Sequence, residues 1–113
     1  MADFHLYLIT NLLNKRQYIG ITSIGYLDRW QTHLTKSRSK EPKHRRKLLY
    51  KDLRKFGRKN FECKLLRIAK TWDELEILEQ RYIKRYRTFF TDGGYNMTYG
   101  GAGTIGYRPR LFR

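Results

Sequence analysis

Two short runs rich in β-branched and aromatic residues lie near the amino terminus. The runs 6–11 and 17–22 are joined by Leu12-Leu13-Asn14-Lys15-Arg16. The simplest arrangement of two such runs is an antiparallel hairpin. This hairpin would bring Tyr7 of the first strand close to Tyr18 of the second.

Two helices are predicted in the middle of the chain. The first runs from Tyr26 to about Lys36, where apolar residues recur at spacings i, i+3 and i+7. The second follows a similar apolar pattern, and Gly57 is suited to end it in the left-handed conformation. The apolar positions are, in order, Leu27, Trp30, Leu34, Leu49, Leu53 and Phe56.

A third strand and a third helix are predicted in the second half of the chain. Residues 61–68 form another β-rich run. Thr71 and Glu74 then match a capping box that opens a helix. Residues 92–103 contain closely spaced glycines, which are typical of turns. The apolar stripe of the helix is Leu75, Leu78, Tyr82, Ile83 and Tyr86.

The charge of the chain narrows the class of partner. Its 113 residues are enough for a single domain, and 25 Lys plus Arg against 10 Asp plus Glu give a net charge of +15. Such an excess favours a polyanion, with nucleic acid as the first candidate. No apolar run is long enough to span a bilayer, and the first ten residues lack the plan of a signal peptide. The single cysteine, Cys63, fits a reducing cytoplasm.

The basic segment, residues 36–47, is dense in Lys and Arg and lacks the apolar side chains needed for packing. It is therefore predicted to be an exposed loop. It is either a flap that grips DNA phosphates or a solvated linker, and we favour the flap because the rest of the chain is also basic. The candidate DNA-binding residues are Lys36, Arg38, Lys40, Lys43, His44, Arg45, Arg46 and Lys47.

Arg29 and His33 are four residues apart, which places them on one face of the first helix while Leu27, Trp30 and Leu34 occupy another. An arginine can hold a phosphate and stabilise the charge that develops on it during attack. A neutral histidine can accept or relay a proton. An arginine and a histidine at this spacing are also common on protein surfaces, so the pair indicates a site only in combination with the other candidate residues.

Glu79 lies inside the apolar stripe of the last helix, where a charged side chain is costly unless something pairs with it. Its partner must come from elsewhere in the fold or be a metal ion. Magnesium is often held by one or two carboxylates together with water and phosphate oxygens, so one protein ligand is sufficient. A buried salt bridge, for example to Arg29, explains the position equally well.

Taken together, these residues resemble the GIY-YIG endonuclease family over nearly the whole chain, from His5 to Gly103. The first signature is His5-Leu6-Tyr7 and the second is Tyr18-Ile19-Gly20. The segment Phe56-Gly57-Arg58-Lys59-Asn60-Phe61-Glu62 resembles the family's turn before the third strand. Some homing members carry a second histidine after a basic loop, where His44 lies. The family's other motif positions fall on Arg29, His33, Glu79 and Asn96.

The resemblance implies an α+β fold with a small three-stranded antiparallel sheet flanked by helices. It also implies hydrolysis of DNA to 5′-phosphate and 3′-hydroxyl ends with one divalent ion, Mg²⁺ or Mn²⁺. Tyr7, helped by His33, would act as general base, and Tyr18 would orient the water or the phosphate. Arg29 would stabilise the transition state, Glu79 would bind the metal, and Asn96 would brace the site. The nuclease domain would comprise residues 1–103, followed by a basic tail or linker, residues 104–113.

The first signature departs from the family pattern, because His5 and Leu6 replace its glycine and isoleucine. A histidine adds bulk at the end of a strand and could alter the approach of the backbone. This departure favours a rival interpretation, a basic DNA- or RNA-binding module that has lost turnover. A structure-specific repair nuclease is a third possibility. We expect a phage or mobile-element (homing-type) endonuclease in the host cytoplasm, and the sequence leaves any additional DNA-binding module or second protomer open.

Overall fold

The computed structural model describes residues 4–100, which form a three-stranded antiparallel sheet flanked by helices. The strands are β1 (Phe4–Asn11), β2 (Gln17–Thr22) and β3 (Phe61–Ala69), in the order β2-β1-β3. β1 is therefore the central strand and pairs with both neighbours. The predicted hairpin, the third strand and the α+β class are confirmed. The predicted tail, residues 104–113, lies outside the described residues.

Within residues 4–100, four helices accompany the sheet: α1 (Tyr26–Ser37), α2 (Pro42–Arg45), α3 (Leu48–Phe56) and α4 (Trp72–Tyr86). Short 3-10 turns, Arg58–Asn60 and Phe90–Asp92, precede β3 and follow α4. The capping box is confirmed, because the Thr71 hydroxyl accepts a hydrogen bond from the backbone N–H of Glu74 at 3.1 Å. No helix in this part of the chain is both long and apolar enough to cross a membrane.

The sheet divides the core into two parts. The Tyr7 face, which carries Tyr7 and Ile9, packs against residues of α1 and α3. The Leu8 face, which carries Leu6, Leu8 and Ile19, packs against α4. Alternate residues of a strand point to opposite sides, so a single strand supplies both parts of the core.

Three local predictions are wrong. Gly57 ends α3 with a positive φ of 87°, but its ψ of 147° is not left-handed helical. This backbone region is open almost only to glycine, so glycine is still required there. Tyr86, assigned to the apolar stripe of α4, is 36% exposed because it lies at the last turn of the helix. The basic segment is not simply a loop: α1 continues to Ser37, and Pro42, which favours a first helical turn, starts α2.

Candidate active site

Tyr7 lies at the centre of the candidate site, and the second signature makes room for it. Tyr7 of β1 is directly opposite Gly20 of β2. A Cβ atom on Gly20 would overlap the ring carbon Cζ and the hydroxyl of Tyr7. Only glycine therefore lets the phenol lie across β2. On the other side of β1, the pairing with β3 shifts register between Leu6 and Tyr7, an irregularity of the kind often found beside active sites.

The inward face of α1 follows the predicted apolar pattern only in part. Leu27 is 61% exposed, whereas His33 is completely buried beside Leu34. The half-buried Arg29 and Trp30 complete this inward side. The assignment of Leu27 to the apolar face is wrong, whereas Trp30 and Leu34 do pack in the core. Burial of a polar side chain requires hydrogen-bond partners, and those of His33 come from distant parts of the chain.

His33 joins two tyrosines. Its Nε2 atom is 2.7 Å from the Tyr7 hydroxyl and its Nδ1 atom is 2.7 Å from the Tyr50 hydroxyl. Tyr50, on α3, is 1% exposed. Tyr50 was not among the predicted site residues, because the helical pattern of α3 rests on its leucines and phenylalanine. A tyrosine directly after the buried Leu49 was the available signal, since a buried phenol normally needs a polar partner.

Tyr18 and Arg29 lie beside these three residues. The Tyr18 ring is 5.5 Å from that of His33, edge to face, and 6.3 Å from that of Tyr7, centroid to centroid. Arg29 is close enough to influence the ionisation of Tyr7, Tyr18 and Tyr50. The structure thus brings three of the predicted site residues, Tyr7, Tyr18 and Arg29, around the imidazole of a fourth, His33.

The environment keeps these groups neutral in the absence of a ligand. Burial raises the pKa of Tyr7 well above its usual value, and Tyr18 adds to this effect while Arg29 opposes it. Burial, followed by the charge of Glu79, also raises the pKa of Tyr18. Burial lowers the pKa of His33 well below its usual value, and the charges of Arg29, Lys47 and Lys36 lower it further. Two phenols and a neutral imidazole are therefore the resting state at neutral pH.

Glu79 is the carboxylate of the site. It is 7% exposed on α4, and its charge acts on the Tyr18 hydroxyl. The backbone of Gly100 approaches the Glu79 carboxylate so closely that a Cβ atom would lie 2.8 Å from it, and Gly100 has a positive φ of 86°. Within residues 4–100, no cluster of three or more His, Cys, Asp or Glu side chains could enclose a metal ion. The Glu79 carboxylate alone could hold magnesium, because magnesium can be bound by one carboxylate together with water and substrate phosphate.

Asn96 braces β2. Its side-chain amide accepts a hydrogen bond from the backbone N–H of Ile19 at 2.8 Å and donates one to the carbonyl of Ile19 at 2.9 Å. Its backbone also bonds to Thr88 and Phe90. Both ends of the amide are therefore used next to Tyr18 and Gly20, an arrangement suited to the bracing role predicted for Asn96.

His5, the departure in the first signature, has a structural role of its own. It lies in the central strand, opposite Thr22 of β2 and Ile68 of β3. Its Nδ1 atom accepts a hydrogen bond of 3.0 Å from the backbone N–H of Tyr26, the first residue of α1. Gly25, which precedes α1, has no side chain to supply such a cap. His5 therefore anchors the start of the helix that carries Arg29 and His33.

The basic segment, residues 36–47, divides into two parts. Two of its residues approach the site: the His44 ring is 6.2 Å from the Tyr50 ring and the Lys47 ammonium is 5.2 Å from it, each measured to the ring centroid. Lys36 is half-buried on α1. The rest of the predicted DNA-binding residues are exposed: Arg38, Lys40, Lys43, Arg45 and Arg46.

Comparison with known proteins gives a consistent result. The family model described as the GIY-YIG catalytic domain matches residues 3–96. A mutant of the catalytic domain of intron endonuclease I-TevI is similar in structure, with a TM-score of 0.69 and 25% identity over 88% of this chain and 97% of that chain. A second structure, the catalytic domain of homing endonuclease I-TevI, gives a TM-score of 0.65 and 27% identity over 84% and 98% of the two chains. No curated protein matches the sequence significantly.

Proposed function

Because the chain belongs to the GIY-YIG family, we propose that it is a magnesium-dependent DNA endonuclease of the homing type. The observation that carries the proposal is the 2.7 Å hydrogen bond between Tyr7 and His33, with Arg29 beside the phenol. Tyr7 and His33 can together accept a proton from water, and the Arg29 guanidinium beside them can bind a phosphate. The similar structures, which are those of an intron and homing endonuclease, support DNA as the substrate.

The proton of the attacking water goes to Tyr7. As the water oxygen forms its bond to phosphorus, the phenol oxygen takes the water proton and the phenol's own proton passes to Nε2 of His33. The bond from phosphorus to the 3′ oxygen breaks, and that oxygen takes a proton from solvent. The products are a 5′-phosphate and a 3′-hydroxyl. The positive charges that lower the pKa of His33 would be offset by the bound phosphate, which would make His33 a better acceptor.

Arg29 and Tyr18 act on the phosphate. The guanidinium of Arg29 stabilises the additional negative charge that develops during attack. Tyr18 keeps its proton, because burial raises its pKa, and its hydroxyl can donate a hydrogen bond to a phosphate oxygen or to the water. Neither group has to change its protonation state during the reaction.

Glu79 would hold the magnesium ion. When bound, the ion would supply electrostatic stabilisation to the phosphate and to the departing oxygen. A buried carboxylate beside Tyr18 is well placed for this task, since Tyr18 is the residue proposed to contact the same phosphate.

DNA would be held mainly through its phosphates. The exposed lysines and arginines of residues 36–47 follow directly on α1, which carries Arg29 and His33. Lysine and arginine side chains of this kind bind phosphates without reading sequence, so affinity should fall steeply with salt. Lys47 differs from these exposed side chains, because it is half-buried and its ammonium lies over the Tyr50 ring.

The proposal is tested with supercoiled plasmid and the Glu79→Gln variant. We expect the unaltered protein to nick the plasmid with magnesium and to stop when a chelator is added. Glu79→Gln keeps the size of the side chain but removes a charged ligand, so nicking should be lost while DNA affinity is nearly unchanged. The control is Glu62→Gln, which makes the same change at an exposed position of β3 and should nick normally.

Two results would contradict the proposal. Tight DNA binding by the unaltered protein without any nicking would favour a binding module that has lost turnover. If Glu79→Gln lost DNA binding as well as nicking, Glu79 would be a residue that stabilises the fold. Circular dichroism of each variant shows whether the fold is intact, and loss of folded structure in Glu79→Gln but not in Glu62→Gln is what the second result requires.

A further inference from the structure

We propose that Tyr50 is a positioning residue that fixes the tautomer of His33. This inference rests on the proposed nuclease function, because it concerns the group that receives the proton from Tyr7. It starts from the contacts of His33, whose two ring nitrogens each lie 2.7 Å from a tyrosine hydroxyl. A neutral imidazole carries one proton, so one nitrogen donates and the other accepts.

The surroundings of Tyr7 determine which nitrogen accepts. Burial raises the pKa of Tyr7, so its hydroxyl carries a proton that must be donated to some acceptor. Arg29 lowers the pKa of Tyr7 by its charge and by hydrogen bonding, and a guanidinium can only donate. Burial raises the pKa of Tyr50 as well, but Arg29 acts on Tyr50 by its charge alone, so the Tyr50 oxygen remains open to accept a hydrogen bond. This difference assigns Nε2 of His33 as the acceptor for the Tyr7 hydroxyl.

The proton of His33 then lies on Nδ1, and this N–H donates a hydrogen bond to the Tyr50 hydroxyl oxygen. Without this acceptor the imidazole could move its proton to Nε2, where it would block transfer from Tyr7. Tyr50 thus does for His33 what a buried carboxylate or carbonyl does for many histidines, holding the ring and its tautomer. Tyr50 does not touch the reacting atoms.

The position of Tyr50 is itself well defined. Its side chain is 1% exposed and belongs to the core of the Tyr7 face. His44 meets its ring edge to face, and the Lys47 ammonium lies over the ring at 5.2 Å. These contacts hold the ring, while the only hydrogen bond of its hydroxyl among the described residues goes to His33. Removing the hydroxyl alone should therefore leave the ring in place.

The test is Tyr50→Phe, measured by kinetics. We expect kcat to fall roughly 10- to 100-fold, as when other outer partners of functional histidines are removed, while DNA affinity stays the same. The matched control is Tyr95→Phe, which also removes a buried hydroxyl. That hydroxyl bonds to Asn11 and Asp52 and not to His33, so kcat should be unchanged. Thermal unfolding of both variants measures their loss of stability.

A second measurement reports on the tautomer without any catalysis. In ¹⁵N-labelled protein, His33 should show one protonated nitrogen, Nδ1, and in Tyr50→Phe a share of Nε2-protonated ring should appear. Tyr95→Phe should leave the His33 signals as they are. An unchanged tautomer in Tyr50→Phe, or an Nε2–H in the unaltered protein, would overturn the inference. If the protein does not cleave DNA at all, the proposed function fails, but the tautomer result still decides the role of Tyr50.

Discussion

The two faces of the sheet use the same strands in different ways. The Leu8 face packs apolar side chains against the stripe of α4. The Tyr7 face buries Tyr7, His33 and Tyr50, whose polar atoms are joined by two hydrogen bonds of 2.7 Å. Apolar packing tolerates small shifts, whereas a buried polar network is stable only if each member finds its partner. The comparison assigns stability chiefly to the first face and chemistry to the second, to which α4 adds the carboxylate of Glu79.

The largest expected effect is a loss of nicking activity in Tyr7→Phe, which changes the chemistry of the Tyr7 face but not its packing. Tyr7→Phe keeps the ring that lies over Gly20 and removes the proton acceptor. We expect the nicking rate to fall by roughly 10²- to 10⁴-fold, as for loss of other general bases. The measurement is plasmid nicking under single-turnover conditions, with circular dichroism to show that the fold is intact. Nicking close to the normal rate would remove Tyr7 from the role of general base.

The Leu8 face should show the opposite behaviour. Leu75 is completely buried in α4, so Leu75→Ala leaves a cavity and should lower the free energy of unfolding by about 2–5 kcal/mol. Urea unfolding measures this change. Leu13→Ala in the exposed hairpin loop is the control and should have little effect. The folded fraction of Leu75→Ala should nick DNA normally, and a stable but inactive variant would contradict the division between the faces.

A smaller effect should appear as pH is lowered, and it belongs to the Tyr7 face. The folded-state pKa of His33 is lowered by burial and then by Arg29, Lys47 and Lys36, so it lies below the unfolded value of about 6.5. Below that pH the unfolded chain binds a proton that the folded protein excludes, so stability should decrease as pH falls from about 7.5 to 5.5.

His33→Gln isolates the contribution of this one imidazole, because every other side chain of the protein is left unchanged. Chemical denaturation at several pH values should give a shallower pH dependence for His33→Gln than for the unaltered protein. Equal slopes would mean that His33 is not held neutral in the folded state.

The sequence by itself determined the three strands and most of the helices. Alternating and helical patterns gave the hairpin, the third strand and α4, because these patterns follow from which side of an element faces the core. The cap of α4 by Thr71 could also be read directly, since capping involves residues only three apart. The motifs indicated the GIY-YIG family, and the family model matches residues 3–96 of the chain.

Tertiary structure decided which side of α1 faces inward and what surrounds His33. Tyr7 and Tyr50 lie 26 and 17 residues from His33 in the chain, so no local pattern relates the three. The apolar pattern alone grouped Leu27 with the core residues Trp30 and Leu34, because it cannot show that an imidazole with two hydroxyl partners will be buried instead. The role of His5 was hidden for the same reason, since the N–H that it caps belongs to Tyr26, 21 residues further along the chain.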